Sequence, residues 1–188
     1  MHSGKIHSLL PTYLGAMSRL GDKLKAILVQ FPPSLDARAL DAVARLIKML
    51  PKDTWFAMEF RHGSWFEGDT GISLVQDIPS ITIAGSIHPS IQPFIQETGD
   101  FYLFRFIGDR EISSFGHITK DRSAQVKEIH EAIQREMQDI RDAFVFFNNH
   151  YAGFAPASAS QYMEFAGMEA IKFPVPRSGQ ASLFDFDS

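Results

Sequence analysis

Glu59, Arg61 and His62 fall within a few positions of one another in the run WFAMEFRHGSWF (55–66), and no other stretch of the chain gathers as much chemistry. A carboxylate can carry a proton, an imidazole can assist it near neutral pH, and a guanidinium fork matches a carboxylate or a phosphate. Successive side chains of a strand point to opposite faces, so Trp55, Ala57, Glu59 and Arg61 share one side and Phe56, Met58 and Phe60 the other. One face is wholly apolar. The other turns charged only at its end, where His62, Gly63, Ser64 and Trp65 read as a turn. A strand built this way delivers polar groups to the loop that follows it, and in parallel α/β folds that end is where sites are built.

Three further runs end in the same manner. AILVQF (26–31) is apolar except for Gln30, FYLFRFI (101–107) carries Arg105 near its C-terminal end, and AFVFFNN (143–149) closes on Asn148 and Asn149. Strands from distant parts of the chain that all become polar at one end imply a single mouth. In that reading Glu59 and His62 are the catalytic acid–base residues, and Gln30, Arg61, Trp65, Arg105, Asn148 and Asn149 bind substrate. Two arginines with asparagine amides suit an anion, and a ligand could be held there with or without turnover. The competing interpretation is structural: Glu59 pairs with Arg61 or Arg105, and Gln30 satisfies a backbone group. Burying a charge costs roughly several kcal/mol unless it is paired, so an ion pair at Glu59 is expected on either account.

The elements that must position these groups follow from periodicity. Leu14, Met17 and Leu20 predict a helix within 9–21, stopped at Gly21. Ser34 or Asp36 can cap a second that runs to about Leu50, with Leu40, Val43, Ile47 and Leu50 as its buried stripe and Pro51 as its stop. Residues 66–78 read as helix or loop, 81–84 as a short strand, and 88–99 show no period. Val126, Ile129, Ile133, Met137 and Ile140 mark the clearest helix, over 122–141, and 156–168 reads as another. Five strands, most of them apolar on both faces and separated by helical or loop segments, are the pattern of a parallel sheet covered by helices. Such an α/β set could form a small doubly wound sheet or part of a barrel.

Bulk properties narrow the function classes. A chain of 188 residues with 45% hydrophobic and 21% charged residues can bury a sizeable core. Its net charge of −4 supplies no global field for nucleic acid. With no cysteine there is no disulfide, thiolate metal site or cysteine nucleophile. No apolar run approaches the roughly 20 residues of a membrane span, and the first residues, MHSGKIHSLLPTYLG, lack a secretory core, so a cytoplasmic protein without membrane partners is expected. The seven histidines show no two-ligand spacing, and no Gly-rich nucleotide loop or Gly-x-Ser-x-Gly occurs; neither metal nor cofactor is expected.

Four motifs, LVQFPP (28–33), MEFRHGSW (58–65), RFIG (105–108) and FNNHYAGFAPASA (147–159), resemble in order and spacing the YecE-like family, domain of unknown function 72, over roughly residues 20–168. The resemblance implies a TIM-type (β/α)8 barrel whose site has no established role. The family's glycine–tryptophan, asparagine–phenylalanine–tyrosine and lysine-bearing strands, which precede the Gln-Pro-Pro strand, have no counterpart here. By the resemblance, residues 1–172 form a partial barrel of about five parallel strands, four to eight, an N-terminally short form. An arc has two edges where a barrel has none, so a homo-oligomer or an N-terminal partner chain is expected to cover them. The family's Arg-x-His-Gly reads Arg105-Phe106-Ile107-Gly108, which removes an acid–base histidine.

Residues 173–188 read as a flexible tail, and Gln180, Leu183, Phe184 and Phe186 within it look like a sliding-clamp-binding peptide, apolar anchors behind a register-setting glutamine. Two functions follow. One is a hydrolase acting on a small phosphate- or carboxylate-bearing substrate, nucleotides included. The other is a ligand-binding or accessory protein without catalysis, recruited to the DNA sliding clamp.

Overall fold

Six short strands, all paired in parallel, carry the molecule; the computed structural model describes residues 3–89, 91–108 and 111–173. In one sheet β1 (Ala26–Gln30), β2 (Trp55–Glu59) and β3 (Ile81–Ile83) lie in that order. In the other, β4 (Gly85–Ile87), β5 (Phe101–Phe106) and β6 (Asp142–Phe147) follow. The single strand expected over 81–84 is therefore two. The Thr98 hydroxyl accepts the Ile83 N–H at 2.9 Å and lies 3.1 Å from the Thr82 hydroxyl, so a side chain takes the place of a strand beside β3. Pairing passes to β5 only from Gly85 onward, with Gly85 opposite Phe104 and Ser86 opposite Arg105. One extended run from 81 to 87 thus serves both sheets.

Register sorts the side chains. Ala26 pairs with Trp55, Leu28 with Ala57, Gln30 with Glu59, Leu103 with Phe144 and Arg105 with Phe146, which places all of them on one face. That face is layered. Trp55 stacks on Phe101 at 4.7 Å with Phe144 edge-on to both; Ala57, Ala84 and Leu103 are buried above them; Gln30, Glu59, Arg105 and Phe146 stand at the C-terminal end. The opposite face feeds two larger cores. Ile27, Phe56, Met58, Phe60 and Ile81 pack with Val43 and Ile47 of α2 (Leu40–Lys48). Tyr102, Phe104 and Phe106 pack with Val126, Ile129 and Ile133 of α3 (Ser123–Glu136), and with Tyr162 and Phe165 of α5 (Ala155–Phe165).

Val43, Ile47 and Leu50, and Val126, Ile129, Ile133 and Met137, are buried as read, whereas Leu20 of the first stripe is exposed, and several boundaries moved. α1 runs Ser3–Met17 and passes through Pro11, and a 3-10 turn over Ser18–Lys23 contains Gly21 at φ 52°. Asp36 caps a 3-10 turn ahead of α2 by accepting the Arg38 N–H. Residues 66–78 hold only short 3-10 turns, at Gly63–Phe66 and Ile72–Leu74. β6 stops at Phe147, so Asn148 is not a strand residue but the cap of α4 (Asn149–Ala152). No helix among the described residues is long and apolar enough to cross a membrane. Gln180, Leu183, Phe184 and Phe186 lie outside the described residues.

Candidate functional site

Glu59 has no exposed surface, and its carboxylate is held from two sides. The Arg61 Nε donates to Oε1 at 2.7 Å, and the Arg105 Nη1 donates to Oε2 and, at 3.2 Å, to the Gln30 Oε1. Four residues from β1, β2, the turn after it and β5 thus form one network, because alternation puts all four on the same face at the same end. Two guanidinium groups against one carboxylate leave a single net positive charge. Both arginine side chains stay within reach of solvent, 17% and 26% exposed. Arg61 engages Glu59 only through Nε and Arg105 only through Nη1, so each keeps further N–H donors with no partner among the described residues.

Beside Arg105 lies a cleft of about 570 Å³. Ala26, Leu28, Leu103 and Phe146 give it apolar walls, and Arg105, Asn148 and Asn149 give it a polar end. Both asparagines are fixed the same way round. The Asn148 Oδ1 accepts the His150 N–H at 3.1 Å, and the Asn149 Oδ1 accepts the Ala155 N–H at 2.8 Å. With each carbonyl oxygen engaged by backbone, the NH₂ groups are the ends left for a ligand. The polar end of the cleft is therefore made of donors: one guanidinium and two amides.

His62 and Trp65 are placed differently. The His62 Nδ1 accepts the Ser64 N–H at 3.2 Å and lies 2.8 Å from the Ser64 Oγ. The Ser64 Oγ in turn accepts the Ala37 N–H at 2.9 Å. Trp65 is buried, its Nε1 donates to the Leu35 carbonyl at 2.8 Å, and its ring stacks on Phe60 at 4.4 Å. These residues fasten the turn after β2 to the segment after β1, and none of these bonds joins either one to Glu59.

Ser86 went unread. It is the register partner of Arg105, points to the same face, is 2% exposed, and its hydroxyl has no hydrogen-bond partner among the described residues. Reading it from sequence would have required knowing that the strand resumes past Ala84.

Parallel strands that turn polar at one end, with helices packed on the opposite face, define an α/β protein whose buried polar cluster lies at the C-terminal end of the strands. This chain belongs to the DUF72 family: the family model, described as a protein of unknown function, matches residues 3–181. That agrees with the resemblance carried by the four motifs and extends it at both ends. Among solved structures, it is similar to a DUF72 family protein from Enterococcus faecalis V583, with a TM-score of 0.65 and 21% identity over 83% of this chain and 67% of that one. A second Enterococcus faecalis structure matches with a TM-score of 0.65 and 20% identity, over 93% and 70% of the two chains. A DUF72 family protein from Thermotoga maritima MSB8 matches with a TM-score of 0.64 and 23% identity, over 82% of this chain and 64% of that one. At these identities the likeness is one of fold. No curated protein matches the chain.

Proposed function

We propose that the mouth at Arg105 binds a small phosphate- or carboxylate-bearing ligand, and that hydrolysis of such a ligand is its reaction, with Glu59 as the proton carrier. The observation that supports this reading is the donor end of the cleft, where Arg105 and the amides of Asn148 and Asn149 converge beside a cluster of net positive charge. The parent architecture is read as a TIM-type barrel, supported by the all-parallel pairing and the polar C-terminal ends of the strands. Isothermal titration with inorganic phosphate and with acetate tests the binding. Asn149→Asp keeps the oxygen that accepts the Ala155 N–H but replaces a donor by a negative charge, so the fold should hold while anion affinity falls at least about tenfold. Unchanged affinity in that variant would count against the reading.

A second reading, ligand binding without turnover, is favoured by the surroundings of Glu59: it has no exposed surface, and both of its oxygens already accept from guanidinium N–H groups. Glu59→Gln separates the two, since lost turnover with retained binding supports the hydrolase. The clamp-accessory form of this second reading rests on the sequence QASLFDF (180–186) and is tested by titrating a sliding clamp with the chain and with Leu183→Ala/Phe184→Ala.

A further inference from the structure

The inner face carries four aromatic side chains, and three of them satisfy one another. Trp55, Phe101 and Phe144 form a mutually packed set at the N-terminal end of the strands. Phe146, two residues on from Phe144 and on the same face, has no ring partner among the described residues and is 53% exposed. It is the register partner of Arg105, and both line the same cleft. Ala26 and Leu28 of β1 also line this slot. A half-exposed ring thus stands beside a partly exposed guanidinium, a flat apolar surface next to a cationic one.

We infer that the ligand of this cleft carries a planar aromatic or heteroaromatic ring beside its anionic group. The inference rests on the anion reading above and names the chemistry of the rest of the ligand. Phe146 and Arg105 are register partners of neighbouring strands and line one cleft, so a ring stacked on Phe146 and an anion held by Arg105 can belong to one small molecule. Phe146 takes the ring by offset or edge-on stacking, Ala26 and Leu28 line the slot, and Arg105 with the Asn148 and Asn149 amides holds the charge. A bare inorganic anion would use only the polar end. An aryl phosphate and an aryl carboxylate present the same two features.

Calorimetric titration of four probes tests this: inorganic phosphate against phenyl phosphate, and acetate against benzoate, on the parent chain and on Phe146→Leu. Stacking of this kind is worth roughly a tenfold gain in affinity. The aryl form of at least one pair should bind about tenfold more tightly than its bare counterpart. In Phe146→Leu that advantage should vanish while the bare anion binds as before. Because Phe146 is half exposed on an edge strand, the variant should fold like its parent. Bare anions that bind with no aryl advantage, or an advantage that persists in Phe146→Leu, would overturn this inference and leave the anion reading standing. If none of the four probes binds the parent chain, both fall together.

Discussion

Glu59 decides what the inner face can do. Its carboxylate has no exposed surface and is paired with two guanidinium groups. Breaking a buried ion pair from one side is costly because the other charge is left behind, so Glu59→Ala should lower stability by about 3 kcal/mol in denaturant titration. Replacing Glu59, Arg61 and Arg105 together by leucine should recover most of that loss, since an apolar triad of similar size needs no compensation. A triple variant that is stable but binds no anion would mean that the charges are kept for the ligand rather than for the fold. Ser86→Ala carries the opposite expectation. Its hydroxyl is buried without a partner among the described residues, and removing it should be neutral or stabilising by up to about 1 kcal/mol. At this scale the convergence of Gln30, Glu59, Arg61 and Arg105 was legible, because strand alternation alone fixes which residues share a face. Trp65 was not. Its place depends on a carbonyl at Leu35, thirty positions away, and no local pattern announces that bond.

Among the elements, the packing of α3 and α5 on β5 and β6 has a pH signature. Burial pushes the Tyr162 hydroxyl up to about 12. Burial also raises the hydroxyls of Tyr102 and, against the opposing charge of Arg122 over its ring, Tyr151. A phenol that ionises less readily when folded stabilises the fold fully below its unfolded value near 10. That contribution is lost as the pH rises through the folded values. Stability should therefore be insensitive to these groups up to about pH 10 and fall above it, with the 295 nm tyrosinate rise coinciding with loss of helical circular dichroism. A rise complete near pH 10 with the helical signal intact would contradict this. Gly108 makes a second test. It adopts φ +83°, and a Cβ there would collide with the His150 carbonyl, so Gly108→Ala should destabilise by roughly 2 kcal/mol or more and displace α4 together with the Asn148 cap. The helical stripes were readable because each repeats at three and four residues. The break at Ala84 was not, since it depends on Thr98 reaching across to Ile83, and the end of β6 was obscured because an asparagine cap follows the last strand residue directly.

For the molecule as a whole, among the described residues, β1 and β6 each close one end of a sheet and pair on one side only. Such edges offer unpaired backbone groups to another strand. We expect the chain to associate through them, with itself or with a strand-bearing partner, and sedimentation velocity across a concentration series should reveal species larger than the monomer. A monomer at all concentrations that unfolds in one cooperative step would argue against it. Family membership was legible at this scale because four motifs stand in fixed order. The ligand was not, because Phe146 reads in sequence as one more core phenylalanine until its exposure is seen.

The run shared by the two sheets has a mechanical consequence. Its first half is hydrogen-bonded to β2 and its second to β5, so relative sliding of the sheets is concentrated near Ala84, and the Glu59–Arg105 ion pair ties β2 to β5 across that same seam. Any anion that takes hold of Arg105 therefore loads the joint between the halves of the molecule. Amide exchange at residues 83–87 would then report occupancy of the mouth, slowing if the ligand braces the seam and quickening if it draws Arg105 off Glu59.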